Sequence, residues 1–574
     1  MIRAPQRILS VILGAAILLS GACVGDPPAD LLRIGIPEEP RTLNIWLASD
    51  ANSGKVLGLI YQPLYRLEPR QMTLVPWLAA DQPVFDATAN SYTVSLRPAA
   101  WSDGSPVSAE DIVFTANLIK DFKIPRFLSD WRLVKQVTAI DAHTVRFTLK
   151  DNTPTFMTRT LTSPIVSRRE WTPVAEAARA SEKPLAYFLN HRVESPLGSG
   201  PFVLKEWRQG TYLHLAANPH FFGHGLTISG YPLGPFIGGI LLKIYGTADV
   251  AILALKKGAI DMLWWNIQPG YLSDLKDNDA LELLVNEKSA LYFMGFNLRR
   301  PPFNDVALRK AVALLIDRNF IVDRILQGQG EKLVTVVPPG NAFWHNPTLS
   351  APGADLLSRE DRIRMAHGIL SAAGYTWETP PVGSSGAIQL PSTILTPAGT
   401  TMDDVTILTP PADYDPHRAM AGMMIQEWMR SLGIPVMARP MAFTAMLQTV
   451  KANHDFDAFV LGYGRLNLDP SYVRTFFHST NDKPRGWNMS GYHNPVFDRL
   501  ADASIKEMDR NLRREILWEM QRIVGEDLPY IPLYNPTVVE GVRKDRFSGW
   551  VPMIEGVGNM WSFCTLKPTP GKKG

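Results

Sequence analysis

Segments of two different periods alternate along almost the whole of this chain, and that interleaving restricts its fold more than any other feature. Leu32-Arg33-Ile34-Gly35-Ile36, Tyr92-Thr93-Val94-Ser95-Leu96 and Thr144-Val145-Arg146-Phe147-Thr148-Leu149 alternate apolar and polar side chains, which predicts half-buried strands. Helical stripes stand among and after them. Asn304 is placed to cap a helix that gathers Leu308, Val312 and Leu315 on one face, with Arg309 and Lys310 on the other. A short helix over 320–326 stops at Gly328. Asp415-Pro416 supplies an N-cap and a first-turn proline to a helix that ends at Gly433. In it Met420, Met424 and Trp428 recur at i+4, a face assigned to core packing. Leu512, Ile516 and Met520 form a similar stripe before Gly525. Strands and helices mixed in this way, without an internal repeat and over 574 residues, make an α/β or α+β protein of more than one domain. The Pro- and Gly-rich segment 379–400 is expected to be an exposed loop.

The first thirty residues depart from this pattern. Arg3 and Arg7 precede a twelve-residue apolar run over 8–19, and Ser20-Gly21-Ala22-Cys23 follows. A basic flank, a short apolar stretch and small residues at a cut site predict an export signal over 1–22, since a bilayer span needs about 20 apolar residues. The end of the run at Cys23 resembles the lipobox of bacterial lipoproteins, with Ser20 where leucine is usual, so Cys23 is the expected lipidation site. Residues 23–30 then form a tether. Cys564 is the other of the two cysteines and is expected to be an inert buried thiol. The expected location is extracytoplasmic, as a membrane-anchored lipoprotein in the periplasm or on the outer face of the cytoplasmic membrane.

Fifty-eight Lys and Arg against fifty-five Asp and Glu leave a formal charge of +3, too dispersed for a nucleic-acid footprint. Phosphate-loop, zinc-helix, paired-cysteine and nucleophile-elbow motifs do not occur, so no catalytic residue or cofactor is assigned. His214, His220 and His224 are the densest histidines, but Pro219, Gly223 and Gly225 deny them a helix and no metal site is assigned. Aromatic residues are abundant instead. Trp264, Trp265, Tyr292, Tyr463 and Trp487 lie near Gly, Pro or Asn rather than in amphipathic stripes, which suits the lining of a ligand cleft. Asn44, Arg465 and Asp469 complete the ligand-binding candidates.

A series of motifs carries a resemblance. Trp101-Ser102-Asp103-Gly104-Ser105-Pro106-Val107-Ser108-Ala109-Glu110-Asp111 is followed by Leu197-Gly198-Ser199-Gly200-Pro201-Phe202. Ala254-Leu255-Lys256-Lys257-Gly258-Ala259-Ile260-Asp261 and Asn297 with Pro302-Phe303-Asn304-Asp305 come next, and Leu528-Pro529-Tyr530-Ile531-Pro532-Leu533 closes the series. Together they resemble bacterial solute-binding protein family 5, the peptide-binding components of ABC importers. Taken alone, these blocks are turns and helix starts, with Gly104 free to take positive φ and acids in the first turn after Ser108.

The resemblance implies an α/β, two-lobed, periplasmic-binding-protein-like fold of type II, in the large peptide-binding class. Lobe one would be residues 31–285 plus 535–566, with a subdomain at about 64–200. Lobe two would be 297–530, and 567–574 a C-terminal tail. Crossing strands would lie near 285–297 and 529–536. The implied partners are a peptide or other small polar solute, an importer permease and the membrane through the lipid anchor, with the chain a monomer. A ligand-sensing receptor and a hydrolase built on the same fold are the alternative readings.

The implied peptide anchors are missing from this chain. In relatives an Asp that holds the peptide α-ammonium stands where Gly462-Tyr463-Gly464-Arg465-Leu466-Asn467-Leu468-Asp469-Pro470 has Leu466. An Arg for the C-terminal carboxylate is likewise replaced near Ala412, ahead of Tyr414-Asp415-Pro416. A buried ammonium without a charged partner is costly, so the site should discriminate against short free peptides unless Asp469 or Arg465 substitutes.

Overall fold

The computed structural model describes residues 28–354 and 358–569, so the expected export signal, Cys23 and most of the tether lie outside the described residues. A twelve-stranded sheet extends through both halves of the molecule. Its pivot is the strand Tyr530–Arg543, whose first half pairs antiparallel with Leu291–Phe296 and whose second half pairs antiparallel with Leu281–Glu287. The end of Tyr530–Arg543 also pairs antiparallel with Met262–Leu263, through which the sheet continues to the parallel strands Leu31–Ile36 and Gly239–Ile244, with Leu281–Glu287 as a branch off this path. Antiparallel Tyr212–Ala217 and Phe202–Arg208 end that side. Beyond Leu291–Phe296 come Ala458–Tyr463 and then the parallel strands Val405–Thr409 and Val436–Pro440.

The hydrophobic cores divide at the same strand. Leu32, Ile34, Ile240, Leu242 and Val542 pack on one side, and Met294, Phe296, Ile407, Val460 and Ile531 on the other. Two lobes therefore share one strand and the connection 288–290. The first lobe also carries a four-stranded antiparallel sheet of Val84–Asp86, Ser91–Ser95, Thr144–Leu149 and Val134–Asp141. Thr144–Leu149 buries alternate residues, as the period-two pattern requires. Against this sheet packs the helix Ala109–Asp121, opened by a reciprocal cap between Ser108 and Asp111.

Several expectations change in detail. The strand Leu31–Ile36 has neighbours on both edges, and Arg33 reaches no open solvent face: its guanidinium grips the fully buried Asp261. Asp305, rather than Asn304, caps the helix Val306–Leu315 by accepting from the Ala307 N–H at 2.8 Å. Arg309, expected on the polar face, is buried and donates to the Asp527 and Phe303 carbonyls. The segment 320–326 is a helical turn that widens into a π-helix over Ile321–Ile325. The helix Pro416–Arg430 does begin at Asp415, yet its Met420 is about half exposed. Its core face is Ala421, Gly422, Ile425, Trp428 and Met429, where small residues let the helix lie close on the sheet at Thr409. Leu512 is also half exposed, and its helix runs past Gly525 to Asp527, ending at Leu528 with φ 49°. The expected tail begins as a short strand, Lys567–Pro568, paired with Phe547–Ser548.

Candidate ligand cavity between the lobes

The N-cap Asp50 accepts from the Ser53 N–H and sets the helix Ala51–Ile60 so that Lys55 and Leu59, one turn apart, face the gap between the lobes. Gly54 and Gly58 on the same helix have open space where a Cβ would stand, which keeps this wall low. Trp264 and Trp265 follow the strand Met262–Leu263 into the same gap. The second lobe contributes the loop after Ala458–Tyr463, including Arg465, Leu466 and Asp469, and the shared strand contributes Glu540. These walls enclose a cavity of about 1570 Å³. Contacts between the lobes narrow it: Thr158 lies 3.4 Å from Asp469 Oδ2, and Arg510 donates to the Gln71 carbonyl at 3.3 Å.

Electrostatics inside the cavity are uneven. Lys55 Nζ donates to the Trp264 carbonyl at 3.1 Å and stands 4.6 Å from the centre of that indole, without a carboxylate in ion-pair distance among the described residues. Burial lowers the Lys55 ammonium to about 8, with Glu540 acting against the shift and Arg465 adding to it. Burial raises the Glu540 carboxyl to about 7, although it accepts from the backbone N–H groups of Val557 and Gly558. Asp469 behaves differently. Desolvation would raise it, but both Arg513 nitrogens bond its two oxygens at 2.7 and 2.9 Å and hold the carboxyl below its ordinary range.

Of the eight expected ligand residues within the described chain, Trp264, Trp265, Arg465 and Asp469 line this cavity. The other four lie elsewhere. Asn44 is buried and donates to the carbonyls of Phe188, Leu189 and His191. Tyr292 stacks on Tyr534 at 4.7 Å, and Tyr463 stacks between Phe293 and Phe476. Trp487 is exposed and covered by Lys451, whose ammonium stands 3.3 Å from the ring centre. Their aromatic faces are occupied by other protein groups.

Leu466, at the position where the resemblance implies an Asp, lines the cavity, and its N–H bonds the Ser289 carbonyl in the connection between the lobes. Asp469 is no substitute for that anchor, since Arg513 already occupies both of its oxygens. Ala412 is not among the residues that line the cavity.

A sequence model of the bacterial extracellular solute-binding proteins, family 5 Middle, matches residues 73–484. The chain belongs to this family. Among other family 5 sequences, the oligopeptide-binding protein AppA of Bacillus subtilis is 25% identical over 550 residues, 92% of this chain and 93% of that one. The probable D,D-dipeptide-binding periplasmic protein DdpA of Escherichia coli is 24% identical, over 96% of this chain and 97% of its own. In fold, HbpA2 from Haemophilus parasuis superposes with a TM-score of 0.75 at 20% identity, covering 94% of this chain and 100% of that one.

Lys55 and Glu540 were not anticipated from the family 5 motifs or the sequence pattern. One signal was available: Glu540 is a lone carboxylate in the apolar run Val538-Val539-Glu540-Gly541-Val542, where burial of a charge is costly without a purpose.

Proposed function

We propose that this protein is the extracytoplasmic substrate-binding component of an ABC importer. It captures a peptide or related polar solute by lobe closure and hands it to a membrane permease. The observation that carries this reading is the large cavity walled by both lobes and by the strand they share. A hinge of this kind closes when a solute bonds both walls at once. The peptide-binding names of the B. subtilis and E. coli relatives favour a peptide as the solute.

Lobe one is taken as residues 31–285 plus 535–566 and lobe two as 297–530. Trp264, Trp265 and Arg465 are the expected solute contacts, and Asp469 supports the cavity wall through Arg513. The role is binding without bond making. The described lining includes Ser49 and Ser289 but no histidine, which favours binding over a hydrolytic reading.

Delivery outside the cytoplasm follows from the export signal, and Cys23 is the proposed lipid attachment site. Mass spectrometry of solutes released from the purified protein, with melting-temperature shifts against a peptide library, tests the capture. Neither a bound solute nor any shift would count against it. Palmitate labelling of the wild type and of Cys23→Ala tests the anchor, and equal labelling removes it.

A further inference from the structure

The charged groups around the cavity do not balance. Eight Lys and Arg side chains line it against four carboxylates. Arg513 is spent on Asp469, and Arg159 lies 3.5 Å from Asp130. Lys55, Arg66, Arg126, Lys288, Arg465 and Arg510 have no carboxylate within ion-pair distance among the described residues.

The carboxylates are less free. Asp50 is spent as a helix cap, Glu555 accepts from the Ser289 N–H, and Glu540 accepts from two backbone N–H groups. Lys55, Arg66, Arg126 and Arg510 donate instead to neutral oxygens of Trp264, Gln62, Ile45 and Gln71, so the cavity holds cations that no carboxylate neutralises. A cation bonded only to neutral oxygens keeps its full charge, so a bound group of opposite charge is stabilised beside it.

Two of the unpaired cations come from different lobes. Lys55 projects from the helix Ala51–Ile60 of the first lobe, Arg465 from the loop after Ala458–Tyr463 of the second, and both line the same cavity. Like charges facing across a closing gap oppose closure, and an anion between them reverses the sign of that contribution.

We infer that the solute carries an anionic group, a carboxylate or a phosphate, which is clamped between Lys55 of one lobe and Arg465 of the other as they close. This inference rests on the reading of the cavity as the capture site. It fits the loss of the acidic ammonium anchor at Leu466, because the recognition charge in this chain is positive rather than negative.

Calorimetry on the full chain in detergent, with triglutamate, C-terminally amidated triglutamine (below, triglutamine), which carries no carboxylate, and glucose 6-phosphate as probes, tests it. Triglutamate is expected to bind about tenfold or more tightly than triglutamine and to weaken with added salt. Lys55→Met and Arg465→Gln should each cost about tenfold toward triglutamate and shrink its advantage over triglutamine. Arg465 is exposed on a loop, so Arg465→Gln carries the test if Lys55→Met fails to fold.

Binding of glucose 6-phosphate alone, lost in both variants, supports the anion clamp and withdraws the peptide as solute. Triglutamine binding as tightly as triglutamate overturns the clamp while leaving solute capture standing. Binding of neither anion, or variants that bind triglutamate like the wild type, also overturns it.

Discussion

Asp469 and Arg513 meet through two parallel hydrogen bonds with both side chains almost fully removed from water. Removing one partner of such a pair strands a buried charge, so Arg513→Met is expected to lower stability by about 3–5 kcal/mol in urea unfolding. The double variant Asp469→Leu with Arg513→Met should recover much of that loss, and no recovery would mean that packing rather than charge is at stake. Glu540 gives a pH signature. Burial lifts its carboxyl from the ordinary 4.5 to about 7, so the folded state holds the proton more tightly than the unfolded chain. Its contribution to stability is complete below about 4.5 and is lost as the pH rises through about 7. Melting temperatures of wild type and Glu540→Gln should therefore diverge in the variant's favour across that window, and a constant difference would remove Glu540 from the account. Neither pairing was legible in the sequence. The partners of a buried charge lie tens to hundreds of residues away along the chain.

Helix starts and strand faces are more local, and there the sequence says more. Asp415 with Pro416 opens Pro416–Arg430 as expected, because cap and first-turn proline act within one turn. The cap of Val306–Leu315 was misplaced by one residue, since Asn304 and Asp305 are both good caps and only the preceding turn selects between them. Asp305→Ala should cost about 1 kcal/mol in chemical denaturation, with Asn304→Ala nearly silent. Equal effects would contradict the assigned cap. Of the methionine stripe, Trp428 is buried in the core and Met424 packs against it, while Met420 is half exposed. Met420, Met424 and Trp428 have helical spacing, but the face that meets the sheet is set by Ala421 and Gly422, small enough for close approach to Thr409. Gly422→Val should destabilise by about 1–3 kcal/mol through overlap with Thr409, read by the midpoint of urea unfolding.

At the scale of the molecule, one strand joins two cores, and closure about it is the motion that matters. A solute that bonds both walls should lower the radius of gyration measured by X-ray scattering, whereas unchanged scattering at saturation would exclude closure. The sequence by itself determined the α/β character and the order of the family 5 motifs, with Leu466 where the resemblance implies an acidic anchor, because periodicity and short motifs are properties of neighbouring residues. Tertiary structure alone decided which aromatic residues face the cavity. Tyr292 and Tyr463 are satisfied by stacking on rings contributed by distant segments, while Trp264, packed edge-on against Phe563, borders the cavity beside Lys55. It also decided the sign of the cavity. An excess of unpaired cations depends on which charges find partners, and that pairing exists only once both lobes have brought remote segments together.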